Sequence, residues 1–160
     1  MLAQQPLRLH QVQASSTLKD KSLTCFGAYC QQTGDLYLDF AKGYPNSEQM
    51  WHFICRLLSE AKRLHKKVLL ILWDNAPWHS SKRIKRWIRR YNRWAKAHGK
   101  TRLLVFWLPR KSPWLNPIEP HWAHAKRQVC EPSGDLSLAE LKHRVAAYFQ
   151  ARSLTLHSKP

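Results

Sequence analysis

The run Val68-Leu69-Leu70-Ile71-Leu72-Trp73, which stops on Asp74, constrains the fold of this chain more than any other stretch. Six apolar residues without alternation predict a strand buried on both faces, in a sheet that carries helices on each side. Asn75-Ala76-Pro77 is turn chemistry, so Asp74 falls at the carboxyl end of that strand. In open α/β sheets, sites collect there. A second apolar run, Arg102 to Leu108, leads into Pro109-Arg110-Lys111-Ser112-Pro113-Trp114-Leu115-Asn116-Pro117-Ile118-Glu119, a Pro-rich turn opening a helix with one acid in its first turn.

Each acid alone has a plain structural reading. Asp74 ends a strand and caps a turn; Glu119 compensates a helix dipole. Together they stand after the two most apolar runs of a segment that is otherwise strongly basic. Carboxylates gathered at such a place suit a hard divalent cation that takes few protein ligands. Two such ions support phosphoryl transfer by activating water and stabilising the leaving oxygen.

Along the chain, residues 1–21 read as a polar lead-in. Ser22 to Cys30 and Leu36 to Phe40, joined by the turn signal Gln31-Gln32-Thr33-Gly34-Asp35, predict an antiparallel hairpin. Asn46 or Ser47 caps a helix whose apolar stripe is Met50, Phe53, Ile54, Leu57, Leu58, Ala61 and Leu64, ending near His65. After the Val68–Trp73 strand, Ser80 or Ser81 caps a helix with the apolar face Ile84, Trp87, Ile88, Tyr91, Trp94 and Ala95. The same helix carries Lys82, Arg86, Arg89, Arg93 and Lys96 as a basic stripe, and Gly99 ends it. A helix from about Ile118 to Val129 follows the Pro-rich turn, and Ser137-Leu138-Ala139-Glu140 is a capping box opening a last helix. The order predicts an α/β layer arrangement with a mixed sheet, residues 22–152 forming the domain and 153–160 a tail.

The charge is +17, unevenly placed: residues 1–60 hold 5 basic and 5 acidic residues, and 61–160 hold 22 and 5. A segment this basic attracts phosphate backbones with salt-dependent strength. The stripe Lys82, Arg86, Arg89, Arg93 and the pair Arg110-Lys111 are the expected phosphate-backbone contacts. His79 either orients a water or contacts phosphate, or packs beside Trp78. Trp78 and Trp114 either stack on unpaired bases or fill turns and core. The four cysteines (Cys25, Cys30, Cys55, Cys130) have no C-x-x-C spacing, which excludes a recognisable zinc or disulfide framework. No run reaches membrane-spanning length, and a soluble, cytoplasmic protein is expected.

Leu72-Trp73-Asp74-Asn75-Ala76-Pro77-Trp78-His79 and Ser112-Pro113-Trp114-Leu115-Asn116-Pro117-Ile118-Glu119-Pro120-His121-Trp122 closely resemble the DDE-type transposases of bacterial insertion sequences related to the mariner group. The likeness runs from about Thr24 to the last helix. It implies a ribonuclease-H-like mixed sheet flanked by helices, and three acids holding two Mg²⁺ (or Mn²⁺) ions. It also implies cleavage of DNA at the element's ends and joining of the freed 3′-hydroxyl to target DNA. Asp74 matches the second acid and Glu119 the third, with Asn75, His79 and Asn116 as site support. The family's first acid lies on a strand before the hairpin, and no residue here matches it: Asp20 is in a polar stretch, Asp35 in a turn, Asp39 on the hairpin's second strand. The expectation is therefore a transposase catalytic domain lacking its first strand, its first Asp and the N-terminal DNA-binding region. Such a chain is either a decayed copy or one half of an enzyme whose other half is encoded upstream. The alternative function is an inactive DNA-binding remnant or regulator. Transposon-end and target DNA, and a second copy in a homo-oligomer, are the expected partners.

Overall fold

Strand pairing begins where the apolar pattern is densest. In this computed structural model, which describes residues 2–10, 22–74, 76–130, 137–150 and 156–158, the run Val68–Trp73 is a strand (β4) lying parallel to Arg102–Trp107 (β5) from Val68↔Arg102 to Trp73↔Trp107. The expected hairpin is present as Ser22–Cys30 (β2) and Leu36–Lys42 (β3), antiparallel through Gly27↔Leu38. Its turn closes with the Gly34 N–H donating to the Cys30 carbonyl (2.8 Å), at a glycine whose φ of 74° suits a residue without Cβ.

Residues 2–10, within the polar lead-in, correct the expectation that the first strand is lacking. Leu2–His10 is a strand (β1) at the centre of the sheet, antiparallel to β2 and parallel to β4. The place expected to be vacant is filled. The physical reason is backbone demand: β2 and β4 each present a row of N–H and C=O groups, and any extended segment satisfies them whatever its side chains. Pro6, which has no N–H to give, lies beyond the stretch paired with β4, which ends at Gln4↔Trp73. Within the expected tail, Leu156–Ser158 (β6) is likewise a short strand, parallel to β3. The six strands run β5-β4-β1-β2-β3-β6.

Helices cover both faces. Ser47–Arg63 (α1) starts at Asn46, whose side-chain oxygen accepts from the N–H groups of Glu48 and Gln49, with the Gln49 side chain returning to the Asn46 N–H. A single turn, Pro77–Ser80 (α2), follows Asp74, and Lys82–Ala97 (α3) is capped by Ser81. These pack on one face, where Phe26, Ala28, Leu69, Ile71, Trp73 and Leu103 meet the stripe of α1 and Ile84 of α3. Glu119–Cys130 (α4) and Leu138–Gln150 (α5) cover the other face over Leu23, Cys25, Leu36 and Leu38.

The β4 run is buried on one face only. Leu69, Ile71 and Trp73 are buried, whereas Leu70 and Leu72 are half-buried and Val68 is exposed, because α4 and α5 lie over the hairpin side of the sheet. In β5, Leu104 and Phe106 are exposed for the same reason. The outer edge of β5 is partly blocked by Asn92, whose amide accepts from the Leu103 N–H (2.9 Å) and donates to the Leu103 carbonyl (2.7 Å). Trp94 is not part of the α3 apolar face as expected; it is 48% exposed and stacks on His98. Cys25, Cys30 and Cys55 are free thiols, and burial pushes the Cys25 thiol up. Among the described residues no helix is long and apolar enough to cross a membrane.

Candidate functional site

Asp74 is the first residue past β4, and a web of short contacts holds it. Its Oδ1 accepts from the Ala76 N–H (3.0 Å) and lies 2.7 Å from Nδ1 of His79. Facing an ionised carboxylate, that ring nitrogen must carry the hydrogen and donate it. His79 is fully buried, its ring stacked on Trp73 at 4.8 Å and 5°. The one-turn helix α2 returns the histidine to the end of its own strand. His79 packs on Trp73 and braces Asp74. The Asp74 side chain itself remains 24% exposed.

The carboxylate opens into a cleft of about 590 Å³ lined by Asp74, Lys85, Trp107, Arg110, Lys111 and Asn116, among others. Lys111 adopts a left-handed φ of 57°, a sharp bend for a residue with a side chain; it turns the segment after β5 back along the rim before the 3₁₀ turn Pro113–Leu115. Asn116 is 1% exposed, and neither polar atom of its side-chain amide has a hydrogen-bond partner among the described residues. A buried amide left unpaired costs about 1–3 kcal/mol, so a polar ligand in the cleft is the natural complement of Asn116.

Glu119 begins α4, its N–H donating to the Asn116 carbonyl (3.1 Å). It is half-buried and is not among the residues lining the cleft. Register nevertheless puts the start of α4 on the same face as Asp74. Gly27 of β2 pairs with position 5 of β1, and Gln4 pairs with Trp73, so position 5 lies level with Asp74. Gly27 is where α4 lands: a Cβ there would stand 2.3 Å from Trp122 Cζ2 and 3.1 Å from Ile118 Cδ1. Ile118, next to Glu119, is thus two strand spacings, about 10 Å, across the sheet from Asp74. Alternation along β4 assigns positions 70, 72 and 74 to this face, opposite the buried Leu69, Ile71 and Trp73. The strand between, β1, carries no carboxylate.

The expected DNA contacts are all exposed. Lys82, Arg86, Arg89 and Arg93 lie on the outer side of α3, and Arg110 and Lys111 on the cleft rim. Lys85, outside the expected stripe, lines the cleft and lies 5.5 Å from the Trp107 ring. Trp114 is 76% exposed. Asn75 lies outside the described residues, and so does the side chain of Trp78. No cluster of three metal-binding side chains occurs among the described residues.

The chain matches the DDE superfamily endonuclease family over residues 9–137. Its fold is similar to the catalytic domain of Mos1 mariner transposase (TM-score 0.67, 18% identity, covering 94% of this chain and 69% of that one). It is similar too to the Mos1 transposase paired-end complex with left transposon end (0.68, 15%, 96% and 48%) and to the Mos1 strand transfer complex (0.64, 16%, 94% and 47%). At these identities the likeness is one of fold, and the chain spans about half of those longer transposase chains. No curated protein matches in sequence. A matched family covering most of the chain, on a mixed sheet with helices on both faces and an acid at the end of β4, leads to one conclusion: this chain belongs to the DDE superfamily of endonucleases and has the ribonuclease-H-like fold of transposase catalytic domains.

Proposed function

We propose that the chain is a transposase catalytic domain that cuts DNA strands at insertion-sequence ends and joins them to target DNA, with Asp74 and Glu119 as its metal ligands. The observation that carries this reading is the shared cleft of Asp74 and Asn116, at the carboxyl end of β4, rimmed by Lys85, Arg110 and Lys111. The residues fit a hard divalent ion. Asp74 Oδ1 is engaged by His79 and Ala76 while the side chain stays 24% exposed and lines the cleft, and Asn116 offers a desolvated amide oxygen. Asp74 and Glu119 would hold Mg²⁺ or Mn²⁺, which when bound supplies activation of water and stabilisation of the leaving oxygen. His79 keeps the Asp74 carboxylate in one orientation. Lys85, Arg110 and Lys111 hold phosphates at the cleft, and Lys82, Arg86, Arg89 and Arg93 track the backbone beyond it.

The test is Mn²⁺ titration by calorimetry, followed by cleavage of end-containing duplex DNA. Asp74→Asn, which preserves shape and removes charge, is expected to lower Mn²⁺ affinity at least tenfold while leaving the fold intact. Equal binding by both proteins would remove the metal site from this position.

A second reading, a DNA-binding remnant without catalysis, is favoured by the absence of any acid on β1. The two readings part at position 5, which register sets level with Asp74. If only a carboxylate is missing there, Gln5→Asp raises Mn²⁺ affinity and produces cleavage that the parent chain lacks. If Gln5→Asp binds DNA as the parent does and cuts nothing, the remnant reading stands.

A further inference from the structure

The end of the sheet opposite Asp74 is also built for a polyanion. There the starts of β4 and β5 meet the carboxyl ends of α1 and α3 in an open cleft of about 630 Å³. Lys62, Lys66, Lys67, Lys96, Lys100 and Arg102 line it. All six are exposed, and none makes an ion pair among the described residues. No acid occurs between Glu60 and Asp74 or between Asp74 and Glu119, and Glu60 is already paired with Arg63 at 2.7 Å.

Compensation of helix dipoles is the plain alternative, and the caps weigh against it. The terminal carbonyls of α1 are met by backbone: Leu64 N–H on Glu60, His65 N–H on Lys62 and Lys66 N–H on Ala61, at 2.8–2.9 Å. In α3, His98 N–H meets the Trp94 carbonyl and Lys100 N–H that of Ala95. The ammonium groups are therefore left over once the helix ends are satisfied. Six like charges round one cleft repel one another, and phosphates are the complement that removes the repulsion.

We propose that this end is a second DNA-backbone site, holding a duplex segment other than the one at the carboxylate end. The proposal rests on the reading that DNA is the substrate. Six residue steps separate position 68 from position 74, about 20 Å along the strand, so the two sites lie at opposite ends of β4. No Phe, Tyr or Trp lines this cleft, and His65 is the one ring among its lining residues; with six cations around it, the cleft fits the regular phosphates of a duplex better than a row of unpaired bases. The carboxylate-end cleft differs, with Trp107 on its wall.

The experiment uses the full chain and two 30-bp duplexes of arbitrary sequence, one donor-labelled and one acceptor-labelled. Wild type is expected to bring the two together and raise energy transfer. A variant carrying Lys62→Gln, Lys66→Gln, Lys67→Gln and Lys100→Gln should lose that transfer. It should also bind a single duplex on the order of tenfold more weakly at moderate salt, with a flatter dependence of log K on log salt. The same four positions changed to Arg should keep both properties, which separates lost charge from lost fold. Arg110→Gln with Lys111→Gln should also abolish bridging, because the other site is then impaired. An unchanged affinity, salt slope and energy transfer in the Gln variant would overturn the proposal, as would a wild type that binds no duplex. A wild-type preference for duplex RNA that the Gln variant loses would overturn the assignment to DNA. Failure of the metal reading is distinguishable: wild type and Asp74→Asn would bind Mn²⁺ alike while bridging persists.

Discussion

The arrangement round Asp74 turns on a residue that touches neither solvent nor the cleft rim. His79 stacks on Trp73 and donates to the carboxylate, so one ring joins the core to the site. His79→Ala is expected to cost about 2–4 kcal/mol of stability, through the cavity and the lost hydrogen bond, and to lower Mn²⁺ affinity about tenfold. Urea unfolding and calorimetry measure the two effects separately. A loss of stability with unchanged metal affinity would make His79 a packing residue only. Sequence marked Asp74 and Glu119 through their scarcity in a basic segment, but it did not show what His79 faces. That depends on the one-turn helix Pro77–Ser80 folding back on the strand. Asn116 was legible only as part of a motif; its burial without a partner among the described residues is visible only once the 3₁₀ turn Pro113–Leu115 and α4 are packed.

At the scale of elements, the position of Glu119 is decided by how closely α4 approaches the sheet. Gly27 is what permits that approach. Trp122 fills the space a side chain would take, and is itself pinned at 3% exposure with an edge-on contact to Phe149 at 5.5 Å. Gly27→Ala is expected to cost about 1–3 kcal/mol by overpacking and, by lifting α4, to weaken Mn²⁺ binding without touching either carboxylate. Denaturant unfolding and metal titration of the single variant check both parts; wild-type metal affinity in a destabilised protein would show that α4 does not position the site. Most elements were readable in advance, because helix stripes and apolar runs are local patterns. The strands Leu2–His10 and Leu156–Ser158 were not. Their places come from hydrogen-bonding to neighbours distant in sequence, and their own composition carries no such signal.

Across the whole molecule, charge is the dominant imbalance. At +17, and with few ion pairs among the described residues, the folded state repels itself. Its melting temperature is expected to rise between 50 and 300 mM salt, roughly the range over which surface charges become screened, and to rise again with duplex DNA. A melting temperature that falls with salt would show that attractive pairs outweigh the repulsion. The amino-acid order by itself determined the fold class, most helices, the hairpin, the two acids and the excess of cations, since each rests on residue type and near-neighbour spacing. The tertiary structure alone decided that β1 fills the centre of the sheet and that α4 covers the hairpin rather than β4. It also decided that lysines from two helix ends converge on one cleft, since such meetings depend on how distant segments pack, which no local pattern encodes.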